Sequence, residues 1–181
     1  MAGQGPVWRY AVDTREDLLE SVRFMAVHAG LVVDDRTSAR WLVIGAVMAA
    51  QAAAIRVLSE APMEDGSRRN PLFLIKQCCD EKRLRPPFTL TLSNADLARL
   101  KGLIEARNAF IHPPNAGWTL DLAPLPRGVS AVTKVVRHLA TVQPTAPARL
   151  GEGEQESLDG ALDHIDTAMD FWLSQFEGPA L

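Results

Sequence analysis

Three residues in the second half of the chain have side chains suited to proton transfer beside an anionic group: Arg107, Asn108 and His112. A guanidinium is permanently charged and can hold a phosphate or carboxylate through two donors. An imidazole can accept or donate a proton near neutral pH. Pro113 and Pro114 follow directly, and the residue before a proline is displaced from the α-helical conformation. We therefore expect the three side chains to cluster at the C-terminal end of a helix.

A predicted helix over residues 94–112 must position these side chains. Ser93 and Asp96 form a capping-box pattern at its start. At 100° per residue, its large apolar residues fall on one arc of roughly 140°. The arc contains Leu97, Leu100, Leu103, Ile104, Phe110 and Ile111. Arg107 lies near the middle of this arc, where its charge needs a partner or access to water. Such a conflict is typical of functional or interface sites.

The end of this helix resembles the signature of HEPN domains, in which an arginine, usually followed by asparagine, precedes a histidine at a helix end. In this chain the segment reads Arg107-Asn108-Ala109-Phe110-Ile111-His112. The resemblance implies an all-α bundle and a metal-independent endoribonuclease, or a relative that only binds nucleic acid or nucleotides. It also implies a homodimer in which the motifs of two copies meet at the interface. The rest of the chain matches only in being helical.

The resemblance also implies roles for the three residues in RNA cleavage by transesterification. The RNA 2′-hydroxyl attacks the adjacent phosphate and leaves a 2′,3′-cyclic end, and His112 transfers the proton as general base or acid. Arg107 stabilises the charge that builds on the phosphoryl oxygens, and Asn108 holds the histidine or the helix end in register. Neither a metal nor another cofactor is expected.

The resemblance further suggests a toxin, defence or stress system, in which an antitoxin or another protein is a partner beside the RNA substrate. Toxins paired with nucleotidyltransferase antitoxins often carry a tyrosine two residues after the histidine. Pro114 occupies that position here, and the only tyrosine of the chain is Tyr10. We therefore do not expect control by tyrosine modification at this site.

Three other interpretations stay open: a structural arginine, a non-catalytic binding bundle and an interaction protein. Arg107 can be a structural residue that caps helix carbonyls beside a terminal histidine. The same spacing occurs in Arg23 and His28 without the asparagine, where a surface pair is the simpler interpretation. A non-catalytic HEPN-like bundle that binds a nucleotide, RNA or a protein is the main functional alternative. An interaction protein that binds through its last helix is the third.

The composition favours one globular domain over residues 1–181 and excludes a general polyanion binder. The chain has 181 residues, is 47% hydrophobic and carries a formal net charge of −3. RNA must therefore contact a local basic patch. The candidate residues are Arg68, Arg69, Lys76, Lys82, Arg83 and Arg85. A solvated charged edge is the alternative, because Asp80 and Glu81 dilute the patch.

Apolar periodicity, caps and prolines predict an all-α, HEPN-like domain with a four-helix up-and-down core and additional short helices. The predicted helices cover residues 14–30, 36–59, 71–83, 94–112, 130–142 and 156–177. Residues 113–128 are predicted to be a proline-rich loop, with Trp118 and Leu120 folding back on the bundle. Residues 143–155 are predicted to be a linker.

Several features favour a cytoplasmic protein without a membrane span or a metal. The start of the chain shows no secretory signal, and the adjacent Cys78 and Cys79 suit reduced, buried thiols. The apolar run from Trp41 to Leu58 is broken by Gln51 and is short for a bilayer. The last helix carries a row of acidic residues beside His164, for which a solvated face is favoured over a metal site. These residues are Asp159, Asp163, Asp166 and Asp170.

Overall fold

The computed structural model describes residues 13–58, 70–113, 118–142 and 149–176, and these contain six helices and no strand. The prediction of an all-α fold is therefore confirmed. The helices are α1 (Thr14–Leu31), α2 (Ser38–Leu58), α3 (Pro71–Cys78), α4 (Asn94–Ile111), α5 (Leu125–Thr141) and α6 (Glu152–Phe176).

Four of the helices form a closed ring of contacts, and the helix that carries the motif lies outside it. Helix α1 packs on α2 and α6, and α5 packs on the same two helices. Helix α4 packs against α5 and α2 from outside this ring, and the short α3 bridges α2 and α4. The predicted up-and-down order of a four-helix core stays a prediction. The motif is therefore held by the flank of α2 and α5.

Two predicted boundaries are wrong at the edges of proline- or glycine-containing segments. Helix α5 begins at Leu125, five residues before the predicted start at Ser130, because Pro126 lies in its first turn, where a missing N–H breaks no helical hydrogen bond. Helix α6 begins at Glu152 instead of residue 156, and the Glu154 carboxylate accepts a hydrogen bond from the Gly151 N–H at 2.9 Å. This contact satisfies a free donor at the helix start.

Three other helix ends differ from the prediction. Helix α3 ends at Cys78 instead of residue 83, because Arg83 and Leu84 donate backbone hydrogen bonds to Asp80 in a separate turn. Helix α2 begins at Ser38 instead of residue 36, after the Asp35 carboxylate accepts bonds from the Thr37 backbone and hydroxyl. Helix α1 continues through Gly30 to Leu31. The predicted ends at residues 59 and 177 lie outside the described residues.

Helix α2 is the most apolar element and is largely enclosed by its neighbours. By length and composition alone it could cross a membrane, but 67% of its most apolar window is buried inside the bundle. Its alanines and Gly45 allow the close approach of α1, since a Cβ at Gly45 would lie 3.3 Å from the Met25 backbone nitrogen and 2.9 Å from Phe24 Cδ1.

Gly45→Ala is expected to lower the free energy of unfolding by about 1–2 kcal/mol, because the added methyl forces α1 away from α2. Gly160→Ala on α6 is the matched control, because a Cβ there meets no atom within 4 Å. That change should raise stability by up to about 1 kcal/mol through helix propensity alone. Urea unfolding of both variants measures the difference. Equal effects at the two glycines would contradict the close α1–α2 packing.

A polar cluster attaches the start of α4 to α5. Asp96 accepts a hydrogen bond from Lys134 Nζ at 2.7 Å and forms a capping box with Ser93. The bond from Lys134 is the main cause that holds the pKa of Asp96 below its usual 3.8, although burial opposes it. The cluster sets the position of α4 along α5, and with it the position of the motif.

Asp96→Asn is expected to lower the free energy of unfolding by about 1–2 kcal/mol at pH 7, because the ion pair and part of the cap are lost. A carboxylate with a lowered folded pKa stabilises the protein above the unfolded pKa of about 3.9 and loses this contribution as pH falls through the folded pKa. The difference between wild type and variant should therefore be constant above pH 5 and shrink below about pH 4. Urea unfolding at pH 7 and pH 3 measures it. An unchanged difference at pH 3 would contradict the role of the Asp96 charge.

Candidate functional site

Helix α4 ends where the prolines predict. The last helical residue is Ile111, and His112 follows with φ −127° and ψ 73°, outside the helical region. The His112 backbone N–H still donates to the Asn108 carbonyl at 2.8 Å. The imidazole is therefore carried by the first residue beyond the helix, on a backbone that the last turn still holds.

Arg107 is half-buried and has no acidic partner among the described residues. Its Nη1 donates to the Asn108 side-chain oxygen at 3.0 Å. Its Nε is buried and makes no hydrogen bond in the described part of the chain. The guanidinium thus keeps unused hydrogen-bonding capacity at the end of α4.

The predicted apolar arc of α4 is displaced in the structure. Leu100, Leu103 and Ala106 are buried, whereas Ile111 is 38% exposed. Helix α5 covers the Leu103 side closely, since a Cβ at Gly128 would lie 3.2 Å from Leu103 Cδ1. The eight-residue α3 covers less of the other side. Arg107 escapes full burial because it lies in the last turn and a half of α4, near the edge of the packed region.

The side chain of Asn108 contacts the arginine, and its predicted role in holding the histidine or the helix end in register stays a prediction. Its oxygen accepts from Arg107, and its side chain makes no hydrogen bond to His112 in the described residues. His112 is exposed. Consequently, no hydrogen bond in the described part of the chain joins Arg107 to His112, and the two share only the helix end and Asn108.

The segment after the motif folds back on the bundle, as predicted. The Trp118 and Phe110 ring centroids lie 5.5 Å apart at an interplanar angle of 66°. Leu120 packs on the core. These contacts cover the apolar side of the last turn of α4 and leave the His112 side open.

Three of the predicted RNA-binding residues, Lys82, Arg83 and Arg85, lie in a turn away from the motif. Lys76, Lys82, Arg83 and Arg85 are exposed, and Arg68 and Arg69 lie outside the described residues. The turn that carries Lys82, Arg83 and Arg85 leads directly into α4 through Leu90, whose N–H bonds to the Cys78 carbonyl. It therefore lies at the start of α4. At 1.5 Å per residue, the length of α4 separates this turn from His112 by about 25 Å within one chain.

His138 has a structural contact near the same turn. Its Nε2 lies 2.9 Å from the Phe88 carbonyl, and the residue is half-buried. The ring connects the residues before α4 to the end of α5. Arg23 and His28, which have the same spacing as the motif, contact different residues: His28 lies against the Phe24 ring, and Arg23 pairs with Glu20.

The acidic row of α6 is partly neutralised by α5. Arg137 Nη2 bonds to Asp163 at 3.0 Å and to Asp166 at 3.1 Å, and Thr133 donates to Asp166 at 2.6 Å. Although partial burial acts to lower the Arg137 pKa, these carboxylates raise it above its usual value. The described residues contain no group of three or more potential ligands arranged to hold a metal ion. This row joins two helices.

Sequence reasoning missed the most deeply placed charge of the structure. Arg56 is fully buried, and its Nη2 donates to the Leu139, Ala140 and Val142 carbonyls at 2.8, 3.3 and 3.0 Å. Burial lowers the Arg56 pKa. An arginine inside the alanine-rich α2 was the available signal. It caps α5 and so has a structural role.

The two cysteines are unsuited to chemistry at neutral pH. Cys78 is buried, which together with Cys79 raises its pKa to about 12, and burial also raises the pKa of Cys79. Because the thiolate is the reactive form, the end of α4 remains the candidate site. Comparisons of the chain with protein-family models, with curated proteins and with solved structures return no match.

Proposed function

We propose that the chain is a metal-independent endoribonuclease of HEPN type that cleaves RNA by attack of the 2′-hydroxyl on the adjacent phosphate. The supporting observation is that an exposed imidazole lies at the same helix end as a half-buried guanidinium that lacks an acidic partner among the described residues. A guanidinium in this state is prepared to bind an anion, because no carboxylate has to be displaced first.

The proposed reaction needs proton transfer at two oxygens. One imidazole accepts the proton of the 2′-hydroxyl as the new bond from O2′ to phosphorus forms. A second group protonates the leaving 5′-oxygen as its bond to phosphorus breaks, which gives a 2′,3′-cyclic phosphate and a free 5′-hydroxyl. Arg107 stabilises the charge on the non-bridging oxygens, held in place by Asn108.

One copy of the motif supplies too few groups for this reaction, so the proposal includes a homodimer through the end of α4. Two copies around a two-fold axis supply two imidazoles and two guanidinium groups. The exposed Ile111 next to His112 supports a contact there, since a large exposed apolar side chain beside polar groups is common at interfaces. We further propose a cytoplasmic toxin, defence or stress ribonuclease, with a protein antitoxin or activator as partner.

A non-catalytic HEPN-like module is the second candidate, and the distant basic turn favours it. About 25 Å of helix separates that turn from His112 within one chain, and the net charge is −3. An RNA segment bound by the turn of the same chain would have to follow α4 to reach the motif. A nucleotide or a protein carboxylate would need only Arg107 and its surroundings.

Incubation of the purified protein with mixed cellular RNA in EDTA separates the two candidates. The nuclease proposal predicts cleavage that resists EDTA, leaves 2′,3′-cyclic ends and is lost in His112→Ala. Intact RNA with both proteins, at concentrations where the dimer is formed, would contradict the nuclease and support the binding module.

A further inference from the structure

One face of the molecule exposes an apolar surface that no other part of the described residues covers. We call it the α1–α2 face; it is formed by Phe24, Leu31, Trp41, Ile44 and Met48. Trp41 and Met48 are 43% and 48% exposed. Part of the face is a groove of about 410 Å³, which also reaches Asp17 and Glu20. Contiguous exposed apolar side chains of this size mark interaction surfaces on soluble proteins.

Aromatic contacts support this face from one side. The Phe24 and His28 ring centroids lie 4.6 Å apart, and the Phe24 and Trp41 centroids 6.4 Å apart. The Arg40 guanidinium carbon lies 5.1 Å from the centre of the Trp41 ring. These contacts restrict the side chains before a partner binds, which lowers the entropy cost of association.

Asp17 and Arg40 carry charges of opposite sign at the two ends of the face, whereas Glu20 is paired with Arg23 of its own helix at 2.6 Å. We take the level of Gly45 as the middle of the face, because α2 approaches α1 there: a Cβ at Gly45 would touch Phe24 and Met25. At 1.5 Å per residue, Glu20 and Asp17 lie roughly 7 and 11 Å from this level along α1. Arg40 lies about 7.5 Å from it along α2. Because α1 and α2 run antiparallel through a six-residue connection, the acidic pair and Arg40 lie on opposite sides of the middle.

We propose that the α1–α2 face binds a second copy of this chain around a two-fold axis near Phe24 and Ile44. A two-fold axis at the middle of the face places the Asp17 end of each copy opposite the Arg40 end of the other. Asp17 and Arg40 lie about 11 and 7.5 Å from the middle on opposite sides, so the two ends of the face are complementary in charge, which is the requirement for such an interface. Ile44, close to the axis, then packs against its equivalent, and Trp41 of each copy packs near Met48 of the other.

This contact does not depend on the proposed ribonuclease activity. Helix α1 packs on α2 and α6, whereas α4 packs on α2, α3 and α5. The α1–α2 contact and the contact through the end of α4 therefore use different surfaces, and each can be tested in the full chain without the other.

Met48→Glu tests the apolar centre, because it would place two unpaired carboxylates, one from each copy, in the contact. Light scattering after size exclusion should show a dissociation constant for this contact at least about 100-fold higher than that of the wild type. Gln175→Glu, at an exposed position of α6, is the matched control with the same charge change and should leave association unchanged. Circular dichroism confirms that both variants are folded. Unchanged association of Met48→Glu would overturn the proposal.

A charge exchange tests the pairing of the two ends. Asp17→Arg and Arg40→Glu should each weaken association about tenfold or more, since like charges then face each other. The double variant should recover most of the loss. Within one chain these side chains lie roughly 18 Å apart along the helices, so recovery requires contact between copies. If both single variants associate weakly and the double variant does not recover association, the two-fold arrangement is overturned.

Cross-linking separates this contact from the one through α4. Ile44→Cys, close to the proposed axis, should link to its own copy with a short bismaleimide, whereas Gln175→Cys should not. Cys78 and Cys79 contribute little background, because burial raises the pKa of both thiols. Ala109→Cys reports the α4 contact in the same assay. Linking at residue 109 without linking at residue 44 would overturn this inference and leave the proposed function standing. Linking at residue 44 alone would support the inference and contradict the α4 dimer.

Discussion

His112→Ala is expected to reduce EDTA-resistant RNA cleavage by about 10²–10⁴-fold, the usual contribution of a positioned general acid or base. The reason is that the exposed imidazole at the end of α4 is the group in the motif that can take up the 2′-hydroxyl proton near neutral pH. Cleavage is measured on a labelled RNA oligonucleotide with detection of the cyclic phosphate end.

Arg107→Ala should reduce cleavage by about 10²–10³-fold, since a charge-stabilising donor is lost at the phosphate. Arg107→Lys should recover only part of this, because an ammonium cannot replace a planar, two-donor group. His164→Ala and Arg23→Ala are matched controls outside the motif and should leave cleavage unchanged. If a control lowered cleavage as much as the motif variant, the assignment of the site would be wrong.

The second large effect concerns stability. Arg56→Ala is expected to lower the free energy of unfolding by about 3–5 kcal/mol, because three buried carbonyls at the end of α5 lose their donor and a cavity remains. For a chain of this length this corresponds to a decrease in Tm on the order of 10 °C. Differential scanning calorimetry measures both quantities.

Arg36→Ala, at an exposed arginine before α2, is the matched control for Arg56 and should change stability by less than about 0.5 kcal/mol. Arg56→Lys keeps the charge but reaches fewer carbonyls, so an intermediate loss is expected. Arg56→Ala with wild-type stability would show that the end of α5 does not need this donor.

Local signals in the sequence predicted much of the candidate site. Pro113 and Pro114 correctly placed the end of α4, because their effect on the backbone acts within a residue or two. Ser93 and Asp96 correctly marked its start, since a capping box depends on residues three positions apart. The predicted start of α5 at Ser130 is too late, because a proline such as Pro126 is compatible with the first turn of a helix as well as with a loop.

Contacts between distant parts of the chain could not be predicted in this way. The role of Asn108 depended on which neighbour its side chain met, and it met Arg107. Arg56 lies under the last residues of α5, more than 80 positions away in the chain. No periodicity within α2 contains that information.

Sequence alone determined that the chain is all-helical and that a guanidinium, an amide and an imidazole share one helix end, because helix periodicity and termination depend on neighbouring residues. Tertiary structure decided that Arg107 keeps a buried donor without a hydrogen bond in the described residues, and that the basic turn lies towards the start of α4. It also decided that no other described residues cover the α1–α2 face. These properties depend on which helices pack together, and packing is a matter of complementary surfaces contributed by residues far apart in the chain.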